Sequence, residues 1–398
     1  MMLTWLEISK SALIYDLKEF RKIIEPKVKL MAVVKSNAYG HGIGECAKIF
    51  EKSGADYLGV INLSEALFLR KIGIKKPIFI LSFWDIRDIH AQIRAIREDI
   101  EFPVYTYPQV QILSKIGKRI GKKAKIHLKI DTGTSRIGIL PQDALNFALK
   151  CLKLPGLTLK GIFTHFAKSE AYNQRYTLLQ TKRLKEVAEK IISKTASNLP
   201  FHVLNFTATA VKNKTEFPLV HAACTAATIV DPATHLDMVR IGIGLYGLWP
   251  SPETKKLAKD LGLKIDLRPA LTWKTKVIQV KELPAGTPIG YGCTYRCKKK
   301  TRIAVLPVGY WDGYDRKLSN CGYVLIQGRR APVRGRVCMN LTMVEVTKIS
   351  KVKIGDEVVL IGWQGREEIS ADEIAQQVGT INYEIVTRIN HLLPRIYR

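Results

Sequence analysis

The chain is 398 residues long and 46% hydrophobic, and its 63 Lys and Arg against 35 Asp and Glu give a formal net charge of +28. A chain of this length buries a large core and suits a barrel with a smaller second domain, while the lack of any apolar run as long as a bilayer is thick excludes a helical membrane protein. The positive charge raises a nucleic-acid or membrane-surface partner, but it is spread over 71–76, 115–125, 297–302 and the closing RIYR, whose single tyrosine is no stacking platform for bases, so neither partner is expected.

The opening segment MMLTWLEISKSALIYDLKEF threads charges through its apolar positions and has no signal-peptide core or cleavage site, so a cytoplasmic protein is expected. Leu13, Leu17, Phe20 and Ile24 recur at spacings of four, three and four, predicting an amphipathic helix over 11–25 that Pro26 ends. Short β-like runs then alternate with longer amphipathic helices, at 30–34, 58–62, 78–82, 103–107, 126–130, 159–165, 202–206 and 238–243. Eight strands separated by helices predict a (β/α)8 barrel. Within 115–125 the basic residues Lys115, Lys118, Arg119, Lys122 and Lys123 lie opposite Ile112, Ile116 and Ile120, which is a solvated helix face. Seven cysteines, Cys46, Cys151, Cys224, Cys293, Cys297, Cys321 and Cys338, are scattered and odd in number, so reduced thiols and no metal site are expected.

The alternation stops after Tyr246-Gly247. A proline-bearing connection leads to β-like segments at 270–283, 301–310, 322–347 and 355–363, punctuated by glycine and proline turns. A late helix over 370–378 carries Ser370 as N-cap with Glu373 three residues on. The fold class is therefore α/β, a barrel over 1–245 followed by a β-rich domain over 246–398.

Residues 30–42, LMAVVKSNAYGHG, run as a buried strand and break at Lys35 into small, polar and glycine residues. A barrel displays its reactive side chains where strands end, and a partly desolvated lysine there has a lowered pKa and a nucleophilic amine. Most lysines that end strands simply reach water, so this residue alone decides little. The other strand ends add Lys129, Asp131 and Arg136 in HLKIDTGTSR, His165 in FTH, and Arg240 in MVRIGI. A single His or Arg at a strand end is ordinarily a packing or salt-bridge residue; several on one rim point to chemistry.

The string AVVKSNAYGHG resembles the cofactor-lysine segment of the alanine racemases, pyridoxal 5′-phosphate (PLP) enzymes of the barrel-fold type, and matching motifs follow in order from Ile8 to Arg388. The resemblance implies a homodimer with shared active sites that interconverts L- and D-alanine, feeding bacterial cell-wall (peptidoglycan) synthesis. It further implies that the first residues, TWLEIS, pair into the second domain. On the matching positions, Lys35 binds the cofactor and serves one face of the α-carbon. Arg240 faces the pyridine nitrogen, and His165 relays a hydrogen bond from that arginine toward Tyr291. Tyr291, in PIGYGCTY, is the opposite-face acid/base group and comes from the partner subunit; its unperturbed pKa of about 10 requires help from nearby cations or the relay. Tyr39, Thr225, Gly242, Ile243 and Tyr383 match the phosphate-binding positions. Arg136 matches the arginine near the substrate carboxylate, and Lys129 the lysine that carbamylation can turn into an anion orienting it. Met339 matches a residue whose backbone contacts the substrate carboxylate from the partner, and Tyr310 an entrance tyrosine. Two positions depart from the pattern: Cys224-Thr225 stands where Asn-Ser is usual, and Asn340 where aspartate is usual. The rival readings are a broader amino-acid racemase of the same fold, a barrel-fold decarboxylase, disfavoured because that group places an acid where Arg240 stands, and, from another class, a charge-driven polyanion-binding protein.

Overall fold

A computed structural model of the protein describes residues 2–196 and 218–398. Eight parallel strands close into a barrel: Lys29–Val33, Tyr57–Val60, Ile78–Ile80, Ile100–Val104, Ala124–Lys129, Leu157–Phe163, Leu219–His221 and Met238–Ile241. The first strand pairs with the eighth, Met31 opposite Arg240 and Ala32 opposite Ile241, and this pairing shuts the cylinder.

Local chemistry explains most boundaries. Ser9 caps Lys10–Ile23, its hydroxyl accepting from the Ala12 N–H at 3.1 Å, and Leu13, Leu17 and Phe20 turn inward as their spacing predicts. The fourth strand lies a few residues earlier than the predicted 103–107, because the following helix, Tyr107–Ile120, already starts there: the Gln109 side chain accepts from the Thr106 N–H at 3.1 Å. The predicted strand at 202–206 lies outside the described residues, and the seventh barrel position is filled by Leu219–His221. Both runs are short and apolar, and a short apolar run carries no periodicity by which to rank it against another.

Beyond the barrel the chain is mostly β. One sheet orders Arg329–Pro332, Tyr323–Ile326, Glu357–Gln364, Leu271–Lys276, Thr4–Ile8 and Arg395–Tyr397; a second joins Gln279–Leu283, Thr301–Leu306 and Thr342–Glu345. The segment predicted as one β run over 270–283 is thus two strands in two sheets. Thr4–Ile8 pairs antiparallel with Leu271–Lys276 and parallel with Arg395–Tyr397, so the described start and the end of the chain lie side by side in the larger of these sheets. The late helix is Ala371–Val378, capped by the Ser370 hydroxyl, which accepts from the Glu373 N–H at 3.0 Å. Among the described residues, no helix is long and apolar enough to cross a membrane.

Candidate active site

At the C-terminal rim of the barrel a cavity of about 370 Å³ is bounded by Lys35, Tyr39, Lys129, Arg136, His165 and Arg240, with Cys224, Thr225, Gly242, Ile243 and Tyr383 completing the wall. Ten candidates from the barrel strand ends and from the helix Asn382–Thr387 therefore converge on one space.

Lys35 opens a turn in which Ser36, Asn37, Ala38 and Tyr39 all have φ between 52° and 55°. Left-handed backbone costs a non-glycine residue about 1–2 kcal/mol, so four in succession need outside support. The Ser36 N–H donates to Glu65 Oε1 at 2.7 Å, and the Ile43 N–H to Asn37 Oδ1 at 2.9 Å. From the end of the chain, Arg395 Nε donates to the Gly40 carbonyl at 2.8 Å and the Tyr397 hydroxyl to the His41 carbonyl at 2.7 Å. A side chain at Gly40 would collide with the Val386 carbonyl, so the turn packs directly on the helix that carries Tyr383. Burial, followed by the Arg136 charge, lowers the Lys35 pKa, with Glu65 opposing. The amine is thereby shifted toward its neutral, nucleophilic form.

Arg240 is 5% exposed, and burial pushes its pKa down to about 10, so it stays cationic at neutral pH. Its Nη2 donates to the carbonyls of Thr164 at 2.8 Å and Ala222 at 2.7 Å and lies 3.4 Å from His165 Nδ1; its Nη1 lies 2.9 Å from His221 Nδ1. Burial and then the Arg240 charge hold the His165 pKa well below 6.5, so its ring is neutral and its Nδ1 can accept from the guanidinium.

At the opposite end the Gly242 N–H donates to the Thr225 hydroxyl at 3.0 Å, leaving that hydroxyl's own proton free for an anion. A Cβ at Gly242 would strike the Tyr39 hydroxyl, so only glycine admits the Tyr39 ring here. Tyr39 packs against Tyr246 and Tyr383, with ring centroids at 5.2 and 6.2 Å. Cys224, the departure from Asn, sits with its Sγ 3.1 Å from the Ser169 hydroxyl.

Lys129 is buried, and desolvation, then Arg136 and Arg240, bring its pKa down to about 7. Asp131 is not spent on it: Oδ1 accepts from the N–H groups of Gly133, Thr134 and Ser135 at 2.9 to 3.1 Å. Among the described residues no carboxylate is hydrogen-bonded to Lys129 or to Arg136, so the two cations repel with the Asp131 charge opposing.

Three candidates lie away from this cavity in the single chain. Tyr291 is 73% exposed on a turn flanked by Gly290 and Gly292, Met339 is 54% exposed and Tyr310 43%. The last two are neighbours, since the Tyr310 N–H donates to the Cys338 carbonyl at 3.0 Å and the Trp311 N–H to the Met339 carbonyl at 3.0 Å. Sequence reasoning missed Ser169 and Glu170 in the cavity wall, although both follow His165 in the loop after the sixth strand, and it missed Glu65, which holds the lysine turn.

The family model described as "Alanine racemase, N-terminal domain" matches residues 8–211 and 202–250, and that described as "Alanine racemase, C-terminal domain" matches residues 270–397. An alanine racemase of Methanococcus maripaludis is 42% identical over 394 residues, covering 99% of this chain and 98% of that protein. Among solved structures, alanine racemase of Clostridium difficile 630 superposes with a TM-score of 0.87 at 34% identity, covering 100% of this chain and 96% of that one. The Bacillus anthracis enzyme, solved with bound L-Ala-P, gives a TM-score of 0.87 at 35% identity, covering 100% and 95%. With both halves of the chain matched in order and a closed barrel whose rim gathers the residues singled out above, this chain belongs to the alanine racemase family of isomerases.

Proposed function

We propose that the chain interconverts L- and D-alanine with PLP, as a homodimer in which residues 1–245 hold the cofactor and residues 246–398 complete the site of the partner subunit, supplying D-alanine for peptidoglycan. The observation that carries this reading is the convergence on one cavity of a desolvated lysine, a buried arginine and a hydroxyl-lined anion cradle. The donor set fits the cofactor at each end. Lys35 would hold its aldehyde carbon. Arg240, which has no acceptor atoms, would donate to its ring nitrogen, and Thr225, Tyr39, Tyr383 and the backbone at Gly242 and Ile243 would hold its phosphate. When bound, the cofactor supplies an electron sink for the bond between the α-carbon and its hydrogen.

The rest falls to side chains of the protein. Inversion needs a proton removed from one face of the α-carbon and returned to the other, since a single group on one side restores the original configuration. Lys35 serves one face. The partner subunit's Tyr291 serves the other, which accounts for a reactive phenol standing exposed in the single chain. His165, held neutral beside Arg240, passes the hydrogen bond toward that phenol. Arg136 pairs with the substrate carboxylate, the Met339 backbone approaches it from the partner, and Tyr310 narrows the entrance to a pocket for a small side chain. Exposed Tyr310, Trp311, Met339 and Leu341, drawn together by backbone bonds to Cys338 and Met339, support a face that a second copy covers, as does the exposed Tyr291.

Mixing two inactive variants tests the shared site. Lys35→Ala and Tyr291→Phe dimers, dissociated and reassociated together, should recover about one quarter of wild-type racemisation. Half of the dimers are then hybrids, with one of two sites intact. A monomer by sedimentation, or no recovery in verified hybrids, would overturn the proposal.

A further inference from the structure

We infer that Glu101 is a positioning residue for Arg240, acting across the barrel interior through His127 and His221, in deepening of the function proposed above and resting on it. Glu101, from the fourth strand, lies with Oε2 2.7 Å from His127 Nε2 on the fifth. His127 Nδ1 lies 3.0 Å from His221 Nε2 on the seventh, and His221 Nδ1 lies 2.9 Å from Arg240 Nη1 on the eighth. Exposure along this line is 1%, 0%, 0% and 5%. At these exposures bulk solvent does not satisfy these polar atoms, and they are matched to one another.

The guanidinium decides the direction of every link. It has donors and no acceptor, so His221 Nδ1 must accept and His221 carries its proton on Nε2. That proton faces His127 Nδ1, which must therefore accept, and the His127 proton sits on Nε2, where Glu101 receives it. A cationic ring at either position would set two N–H groups against each other. Both imidazoles are thus neutral and held in one tautomer, and the carboxylate is the terminal acceptor of a buried cation four strands away. Burial and the Arg240 charge, which depress the His221 pKa, agree with a neutral ring there.

Packing holds the rings in this line. Phe163 stacks on His221, with centroids 5.0 Å apart and planes 6° from parallel, and Phe79 lies 4.3 Å from the His127 ring. Gly161 faces His127 with no room for a Cβ against Nδ1, so the sixth strand leaves the space the ring needs. With Nη1 tied to His221 and Nη2 to two carbonyls, the guanidinium plane cannot rotate, and the charge it presents to the deep end of the cavity is balanced from the far wall. A merely structural carboxylate would need only to be hydrogen-bonded. A positioning one must be charged.

Two measurements separate these. In wild-type protein labelled with 15N-histidine, His127 and His221 should both show a protonated Nε2 and an unprotonated Nδ1 at neutral pH; a cationic ring or the opposite tautomer at either position overturns the relay. Glu101→Gln keeps an oxygen for the His127 proton and removes the charge. It should weaken PLP binding to hydroxylamine-stripped protein on the order of 10-fold and shift the absorption maximum of the bound cofactor, with Glu101→Asp restoring the wild-type position at least in part. Unchanged affinity and spectrum in a folded Glu101→Gln protein would overturn the positioning role. Should Glu101→Gln fail to fold, the wild-type tautomers still decide. A wild-type protein that takes up no PLP would instead sink the function on which the inference rests, and the histidine spectra report on the relay independently of that result.

Discussion

The Glu65 carboxylate lies between the lysine turn and the second barrel strand, accepting from the Ser36 N–H at 2.7 Å and, through its other oxygen, from the Ile61 N–H at 3.0 Å. It thus braces four left-handed residues and places a negative charge near the Lys35 amine, whose pKa it raises against the larger effects of burial and Arg136. Removing the charge must lower that pKa further. For Glu65→Gln, the acid limb of the rate at which stripped protein captures PLP should move to lower pH, because only the neutral amine attacks. A shift upward would contradict the placement of the charge.

Gly242 and Tyr39 share a space that a methyl group would fill. The Tyr39 ring is itself confined by Tyr246 and Tyr383, so Gly242→Ala cannot be relieved by a small rotation. We expect PLP affinity to fall by at least about 10-fold and stability by about 1–3 kcal/mol, read by cofactor titration and denaturant unfolding. Retained affinity would show that the phosphate cradle lies elsewhere.

Lys129 has a pKa near 7 and two guanidinium groups among its repulsive neighbours, so close to half of it is neutral at pH 7 and able to add to carbon dioxide. The added group loses a proton, and the resulting anion would pair with Arg136. Protein equilibrated with 13C-bicarbonate should give one carbamate carbon signal that is absent from Lys129→Ala and that fades as pH falls below 7, where the amine is protonated. Its absence at pH 8 would leave the facing charges to be balanced in another way.

Asp16 is fully buried at the inner face of the first helix. Its Oδ1 accepts from the Arg268 N–H at 2.8 Å, its Oδ2 has no partner among the described residues, and burial raises its pKa from 3.8 to about 8. The folded state therefore binds a proton that the unfolded state has released between about pH 4 and 8, and stability falls as pH rises through that window. Asp16→Asn removes the titration. Its unfolding free energy should exceed that of wild type by up to about 5 kcal/mol at pH 8, with the advantage vanishing near pH 4. A variant that loses stability equally at both pH values would place the cause in packing rather than charge.

Much of the candidate site was legible because a barrel brings all its strand ends to one rim. Lys35, Arg136, His165 and Arg240 needed only to be recognised as ending or following strands to be placed together, and family resemblance supplied the roles proposed for them. The capped helices beginning after Ser9 and Ser370 were equally readable, since a cap is a contact between residues three apart. Tertiary structure decided the remainder. The left-handed turn from Ser36 to Tyr39 has no residue type that announces it, because its strain is offset by Glu65, Arg395 and Tyr397, which are remote in the chain. Which apolar run became the seventh strand was settled by pairing of Leu219–His221 with its neighbours. The line from Glu101 to Arg240 joins residues 26, 94 and 19 positions apart, inside a barrel whose strands are buried on both faces and so lose the two-residue alternation that would mark which side chains point inward. Local spacing reports contacts within a turn or a strand; charge balance across a closed interior exists only once the cylinder has closed.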